Sequence, residues 1–236
     1  RRGWISIFWI SICGGLLGTY FYTKALGYVN YIDLSVVVLI QKLQPLFAIS
    51  LASIILKEKL SKRFIFFSSI AILGGYLTTF GNKSFLLLDN KSIIASLLAL
   101  LASFCWGSST VFGKDALKQI PFELVTCIRL IVTGTVALLI ITLSGNFSDT
   151  YSLSIENYKT IIIIVFTSGS IALSIYYYGL QNLAASHTAI YELVWPLSAV
   201  LIDWLMKGKT LSLTQMIGAI ILLSSMTILI KENSNE

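Results

Sequence analysis

Residues 34–56 read LSVVVLIQKLQPLFAISLASIIL. The run is long enough to cross a bilayer, for which about 20 apolar residues suffice, yet it is interrupted by Gln41-Lys42-Leu43-Gln44-Pro45. In hydrocarbon every backbone donor and acceptor must be satisfied inside the segment or in a closed barrel. The run lacks the alternation of a barrel strand, so it reads as a helix. A proline at that depth removes one backbone hydrogen bond and releases the carbonyl four residues earlier, on Gln41. Side-chain and backbone polarity therefore coincide in the middle of a membrane span.

The rest of the chain has the same character. Of 236 residues 56% are hydrophobic and 12% charged, with a mean hydropathy of +0.83; soluble domains carry about twice that share of charge. These values exclude a water-soluble globular fold, a coiled coil and a disulfide scaffold. Eight apolar runs stand out, at 4–22, 34–56, 64–80, 93–112, 124–143, 160–180, 188–206 and 213–230. The expected fold is an all-α, polytopic membrane helix bundle of about eight transmembrane helices. The first run follows Arg1-Arg2-Gly3 and is too long and aromatic for a signal-peptide core, so the chain reads as a fragment or a processed protein.

Eight crossings put both termini on one side. Nine of the 17 Lys and Arg lie on that side and six on the other, with Lys42 and Arg129 inside spans. The positive-inside rule then places the termini in the cytoplasm, with a bacterial inner membrane as the setting. Basic residues scattered over short connections orient a membrane protein and argue against nucleic acid as a partner, despite the net charge of +6. Three cysteines inside apolar runs and a single histidine leave no metal-ligand spacing, and no cofactor is expected.

Laying Pro45 over Pro196 reveals an internal repeat. Pro45-Leu-Phe-Ala-Ile followed by Lys57-Glu-Lys-Leu-Ser61 matches Pro196-Leu-Ser-Ala-Val followed by Gly208-Lys-Thr-Leu-Ser212. A tyrosine-rich stretch precedes each proline, Tyr20-Phe-Tyr22 and Tyr176-Tyr-Tyr178. By the crossing count the two proline spans run in opposite directions, which makes the repeat inverted. Secondary transporters use inverted repeats to place a substrate site near the midplane between halves. The halves are unequal: three helices in 1–81, a partial first repeat, and five in 92–232, the second.

These stretches, with Pro121, Arg129 and Ala185-Ser186-His187-Thr188-Ala189, resemble the EamA-type branch of the drug/metabolite transporter superfamily. That resemblance implies two inverted five-helix repeats that move small organic solutes. The chain departs from it by lacking the first two helices and by carrying Lys209 where the family has the acid of a Gly-Glu pair; Glu58 keeps that acid in the first copy.

The candidate substrate-binding residues are Gln41, Lys42 and Gln44 from the first proline span and Tyr191, Glu192 and Trp195 from the second, where Glu192 again lies four residues before the proline. Pro45 and Pro196 are the helix breaks. Lys42 lies too deep to reach the interface without strain, and Glu192 is its natural partner. Trp195 shares a helical face with Glu192. Trp106, beside Gly107, and Tyr177 complete the set. Arg129 lies nearer a helix start, where its side chain has the length to reach the interface; it is retained as a candidate charge partner. Gly14 and Gly18, and Ala95, Ala99 and Ser103, have the spacing of helix-packing seams.

The expected function is transport of a small organic solute, such as a metabolite, an amino acid or a drug-like compound, by alternating access in the lipid bilayer, without enzymatic activity. Opposite charges at one depth suit a zwitterion and the aromatics suit a flat metabolite, so the substrate stays open, as does a homodimer. Two alternatives stand beside it. One is a non-transporting membrane assembly subunit. The other is an intramembrane serine protease built on Ser109 and His187, for which Gly107-Ser108-Ser109 is a poor motif and His187 reads rather as a cap of the turn before it.

Overall fold

The computed structural model describes residues 2–28, 34–80, 90–145, 154–195, 198, 202, 205 and 212–233. Among them every regular element is helical. The polytopic all-α bundle is therefore the observed fold. The break expected at Pro196 and the change at Lys209 lie outside the described residues.

Helix α1 covers residues 2–26 and is wound more loosely over Ile10–Leu17, where the Gly18 amide reaches back to the carbonyl of Cys13. Helix α2 (Leu34–Gln41) ends at the polar cluster, and α3 (Gln44–Leu56) resumes after it. Then follow α4 (Lys62–Phe80), α5 (Asn90–Leu117), α6 (Phe122–Leu143), α7 (Ile155–Asn182), α8 (Ala185–Tyr191) and α9 (Leu213–Asn233).

The run 34–56 is broken where its polarity predicts, although the break falls just before the proline. Leu43 N–H turns to the carbonyl of Ile40 and Leu46 N–H to that of Leu43, three residues back in each case instead of four. Pro45 then stands in the first turn of α3, where its missing N–H leaves no helical bond unmade. The turn before Pro196 has the same bond pattern. After α8 the Leu193 amide bonds to Ile190 and the Trp195 amide to Glu192, again three residues back.

The repeated Leu-Ser also has a shared structural role. Ser61 Oγ accepts from the Phe64 amide at 2.8 Å, and Ser212 Oγ accepts from the Gln215 amide at 3.3 Å while Gln215 returns a bond to the Ser212 amide. Both serines cap the helix that follows. Those two helices, α4 and α9, make the most extensive helix pair among the described residues. They meet at Gly74 and Gly218: a Cβ on Gly218 would come within 2.5 Å of the Thr78 nitrogen, and one on Gly74 within 2.7 Å of the Leu222 nitrogen. Backbones this close give van der Waals contact in lipid, where the hydrophobic effect offers no drive.

The Gly14–Gly18 seam of α1 meets Ser109, Trp106 and Arg129, and Ala95, Ala99 and Ser103 are fully buried, as their spacing predicts. By contrast α6 and α7 turn most of their apolar side chains outward, Leu143 being 86% and Ile163 62% exposed. In water such faces would aggregate; against acyl chains they are the solvated surface.

Glu58, which in sequence only keeps the acid of the family's pair, links the end of α3 to the start of α8. The chain leaves α3 through Lys57 in the left-handed region (φ 58°), which aims Glu58 at the start of α8. Its carboxylate accepts from the amides of Ala185 (2.8 Å) and Ser186 (3.1 Å) and from the Ser186 hydroxyl (2.6 Å). The cap of α8 is thus Glu58. The His187 ring instead packs on Phe64 (4.7 Å) and Tyr191 (6.3 Å), which corrects its expected capping role. Because a charged acceptor serves helix-terminal amides, Glu58→Ala is expected to lower stability by about 1–3 kcal/mol, seen as a lower melting temperature in detergent. An unchanged melting temperature would show that the cap contributes nothing.

Candidate functional site

The broken helix runs around residues 41–45 and 191–195 meet at one cavity of about 530 Å³. Its floor is set by α5. Gly107 has no Cβ because the backbone of α3 lies against it: a Cβ there would come within 2.7 Å of the Gln44 carbonyl oxygen. This contact presses the Gln44-Pro45 end of α3 onto α5, so that Trp106, Ser109 and Thr110 line the same space as Gln41, Lys42, Gln44 and Pro45. From the second copy come Tyr191, Glu192, Leu193 and Trp195; α6 adds Arg129, α7 adds Leu173 and Tyr176, and α1 adds Tyr22.

Glu192 is the centre of the polar network. Tyr176 OH donates to its Oε1 at 2.9 Å and Thr110 Oγ1 to the same oxygen at 3.3 Å, while Gln44 Nε2 donates to Oε2. Gln44 Oε1 in turn accepts from Gln41 Nε2 at 3.1 Å. The two polar residues that lie four before the prolines are thereby linked through one amide, across the copies. A carboxylate in a membrane bundle survives only if such donors replace its hydration shell, and three neutral donors do so here.

Lys42 does not form the expected ion pair with Glu192. Its ammonium lies over the Trp195 indole, 3.9 Å from the ring centre, in cation–π geometry. The reason is the α2–α3 break: Gln44, two residues on, already occupies the carboxylate, while Lys42 falls in the turn opposite the aromatic face. Trp195 lines the cavity and is 59% exposed. Arg129 also departs from its reading. It lines the cavity instead of reaching for the interface, with Nη1 donating to Tyr177 OH at 2.5 Å.

Tyr177 itself is wholly buried beneath the cavity in a cluster with Ile7, Val125 and Leu180. It does not line the space; Tyr176, its neighbour, does. One residue around a helix turns the side chain by about 100°, and the tyrosine-rich stretch alone does not say which ring faces in. Thr110 and Tyr176, both donors to Glu192, were missed for this reason. Trp106 lines the cavity while its indole N–H donates to the Gly14 carbonyl at 3.2 Å.

The hydrolytic alternative finds no matching geometry. Ser109 Oγ donates to the Cys105 carbonyl at 2.7 Å, and His187 packs in the α4–α8 region, away from the residues that line the cavity.

The family model described as the EamA-like transporter family matches residues 1–80 and 93–231. The chain belongs to this family. It is similar, at 41% identity over 228 residues, to the protein named riboflavin transporter ImpX of Fusobacterium nucleatum subsp. nucleatum (strain ATCC 23726 / VPI 4351), covering 96% of this chain and 76% of that one. A crystal structure at 15% identity superposes with a TM-score of 0.73 over 95% of this chain and 75% of its own, a likeness of fold alone. This EamA-like chain is accordingly an integral membrane transporter of a small solute.

The Gln44–Glu192 bond of this EamA-like chain joins residues 148 positions apart, and its strength is measurable. A double-mutant cycle on Gln44→Ala and Glu192→Ala is expected to show a coupling of about 1–3 kcal/mol in thermal unfolding. Strict additivity would mean that the two side chains do not hold each other.

Proposed function

We propose that this chain carries a planar, hydrogen-bonding solute of the riboflavin class by alternating access. The observation that supports this reading is that the two broken helices meet in one cavity and share a hydrogen bond there. On this reading 1–81 and 92–232 act as inverted units, with both termini on the cytoplasmic face of a bacterial inner membrane, as the Lys and Arg distribution favours.

Three features favour a flat ring over an amino acid. The cavity of about 530 Å³ suits a drug-sized molecule. Trp106, Trp195, Tyr22, Tyr176 and Tyr191 line it, and aromatic faces bind aromatic solutes by offset stacking. Glu192, the one acid among the lining residues, is already engaged by three donors and so is poorly placed for an ammonium group. The name of the similar protein points the same way.

The same bonds give a route to alternation. A link between the copies that consists of side-chain hydrogen bonds, about 1 kcal/mol each in net terms, breaks and reforms readily. A solute that engages either partner shifts the balance between the two openings, provided that it binds them unequally.

Counterflow of labelled riboflavin in proteoliposomes holding the full chain tests the reading. Uptake is expected in the parent protein and a loss of about tenfold or more in Glu192→Leu and Trp195→Ala; Lys159→Gln, on the exposed start of α7, should keep the parent rate. Absence of riboflavin counterflow would overturn the substrate, and unchanged rates in both cavity variants would overturn the site.

A further inference from the structure

The hydrogen-bonding capacity of the cavity is lopsided. Glu192 receives three donors, most of the roughly four lone-pair positions of a carboxylate. Tyr176 points its proton at it, Thr110 shares its single proton between that carboxylate and the Tyr176 oxygen, Ser109 points its own at Cys105, and Gln44 uses its amide on both sides. Arg129 carries five N–H donors and directs one to Tyr177. Lys42 carries three donors and no acceptor, and its described contact is the face of an indole. Two cations with donors in reserve thus face a space whose acid is already satisfied.

We infer that Lys42 and Arg129 determine specificity by binding the acceptor-rich edge of a planar solute, with the Lys42 ammonium holding the place on Trp195 that the solute's ring takes. The inference rests on the reading that this cavity is the transport site, and it narrows the substrate to an uncharged or anionic heteroaromatic ring with two or more carbonyl or ring-nitrogen acceptors on one edge. Trp195 lines the cavity and is largely exposed, and the ammonium 3.9 Å from its ring centre rests there by cation–π attraction, a contact without the fixed direction of a hydrogen bond. A ring that stacks there supplies the lysine with carbonyl acceptors at its rim, so the displaced cation is rehoused on the solute. A planar cation of equal size meets two positive charges and no open acid, and a neutral ring without two acceptors on one edge, such as phenazine with its single nitrogens on opposite edges, cannot satisfy both cations there.

The test uses the full chain in lipid nanodiscs and compares lumichrome, a neutral three-ring dione without a sugar chain, with phenazine, a neutral three-ring compound without carbonyls, by equilibrium binding. Lumichrome is expected to bind about tenfold or more tighter, the scale of a hydrogen bond to a charged group. That preference should fall about three- to tenfold in Lys42→Gln and in Arg129→Gln and return in Lys42→Arg. Equal binding of the two rings by the parent protein overturns the inference whatever the variants do, and so does an unchanged preference in both glutamine variants. Lumichrome preference without riboflavin counterflow would retire the substrate reading and leave this one standing; counterflow with no preference would do the reverse.

Discussion

A carboxylate inside a lipid-facing bundle has to be surrounded by donors, and much of this molecule is arranged around that requirement at Glu192. No water reaches it in numbers from the acyl chains, so each lone pair needs a protein partner or a solute. The partners come from three different helices: Gln44 at the start of α3, Thr110 on α5 and Tyr176 on α7. To bring them together, α3 must lie against α5 closely enough that Gly107 admits no side chain. It must also begin at Gln44, which requires the chain to leave α2 two residues earlier. The break in one copy is thus coupled to the acid in the other.

This coupling explains what was legible from residues alone. Pro45 and Pro196 stand at matching places, each four residues after a polar side chain, and a membrane helix keeps a polar residue beside a proline at that depth only for a reason. Gln41 and Glu192 could therefore be placed at one site. Gly107 beside Trp106 likewise signalled a close approach. What was not legible is orientation about a helix axis. Tyr176 and Tyr177 are equivalent by composition, and only the packing of α7 on α5 and α6 decides that one faces Glu192 and the other Arg129. Arg129 was misplaced for a related reason: its distance from the helix start suggested a reach toward the interface, whereas Gly14 of α1 leaves room for its guanidinium within the bundle.

Glu58 shows a different limit. Nothing local distinguishes an acid in a Lys-rich turn from a solvated charge, and the left-handed Lys57 that aims it is not a glycine that would announce the geometry. Its role appears only when the start of α8 is seen beside it. Caps within one segment, such as Ser61 and Ser212, are readable as patterns because donor and acceptor are three residues apart. A cap that crosses from one copy to the other, here over more than a hundred residues, has no pattern to read.

Adjacent tyrosines give the site its final property. Tyr176 bonds the acid and Tyr177 the guanidinium, and two consecutive residues of one helix move as a rigid unit. Any rotation or shift of α7 therefore disturbs both opposite charges together. A solute that relieves Arg129 of its tyrosine weakens the hold on Tyr177, and through the shared backbone alters the position from which Tyr176 donates to Glu192. Because Glu192 also holds Gln44, that change reaches the first copy through a single hydrogen bond. The guanidinium contact at one end of the cavity and the Gln44 contact at its acidic end are thus not independent variables, because both run through adjacent residues of α7.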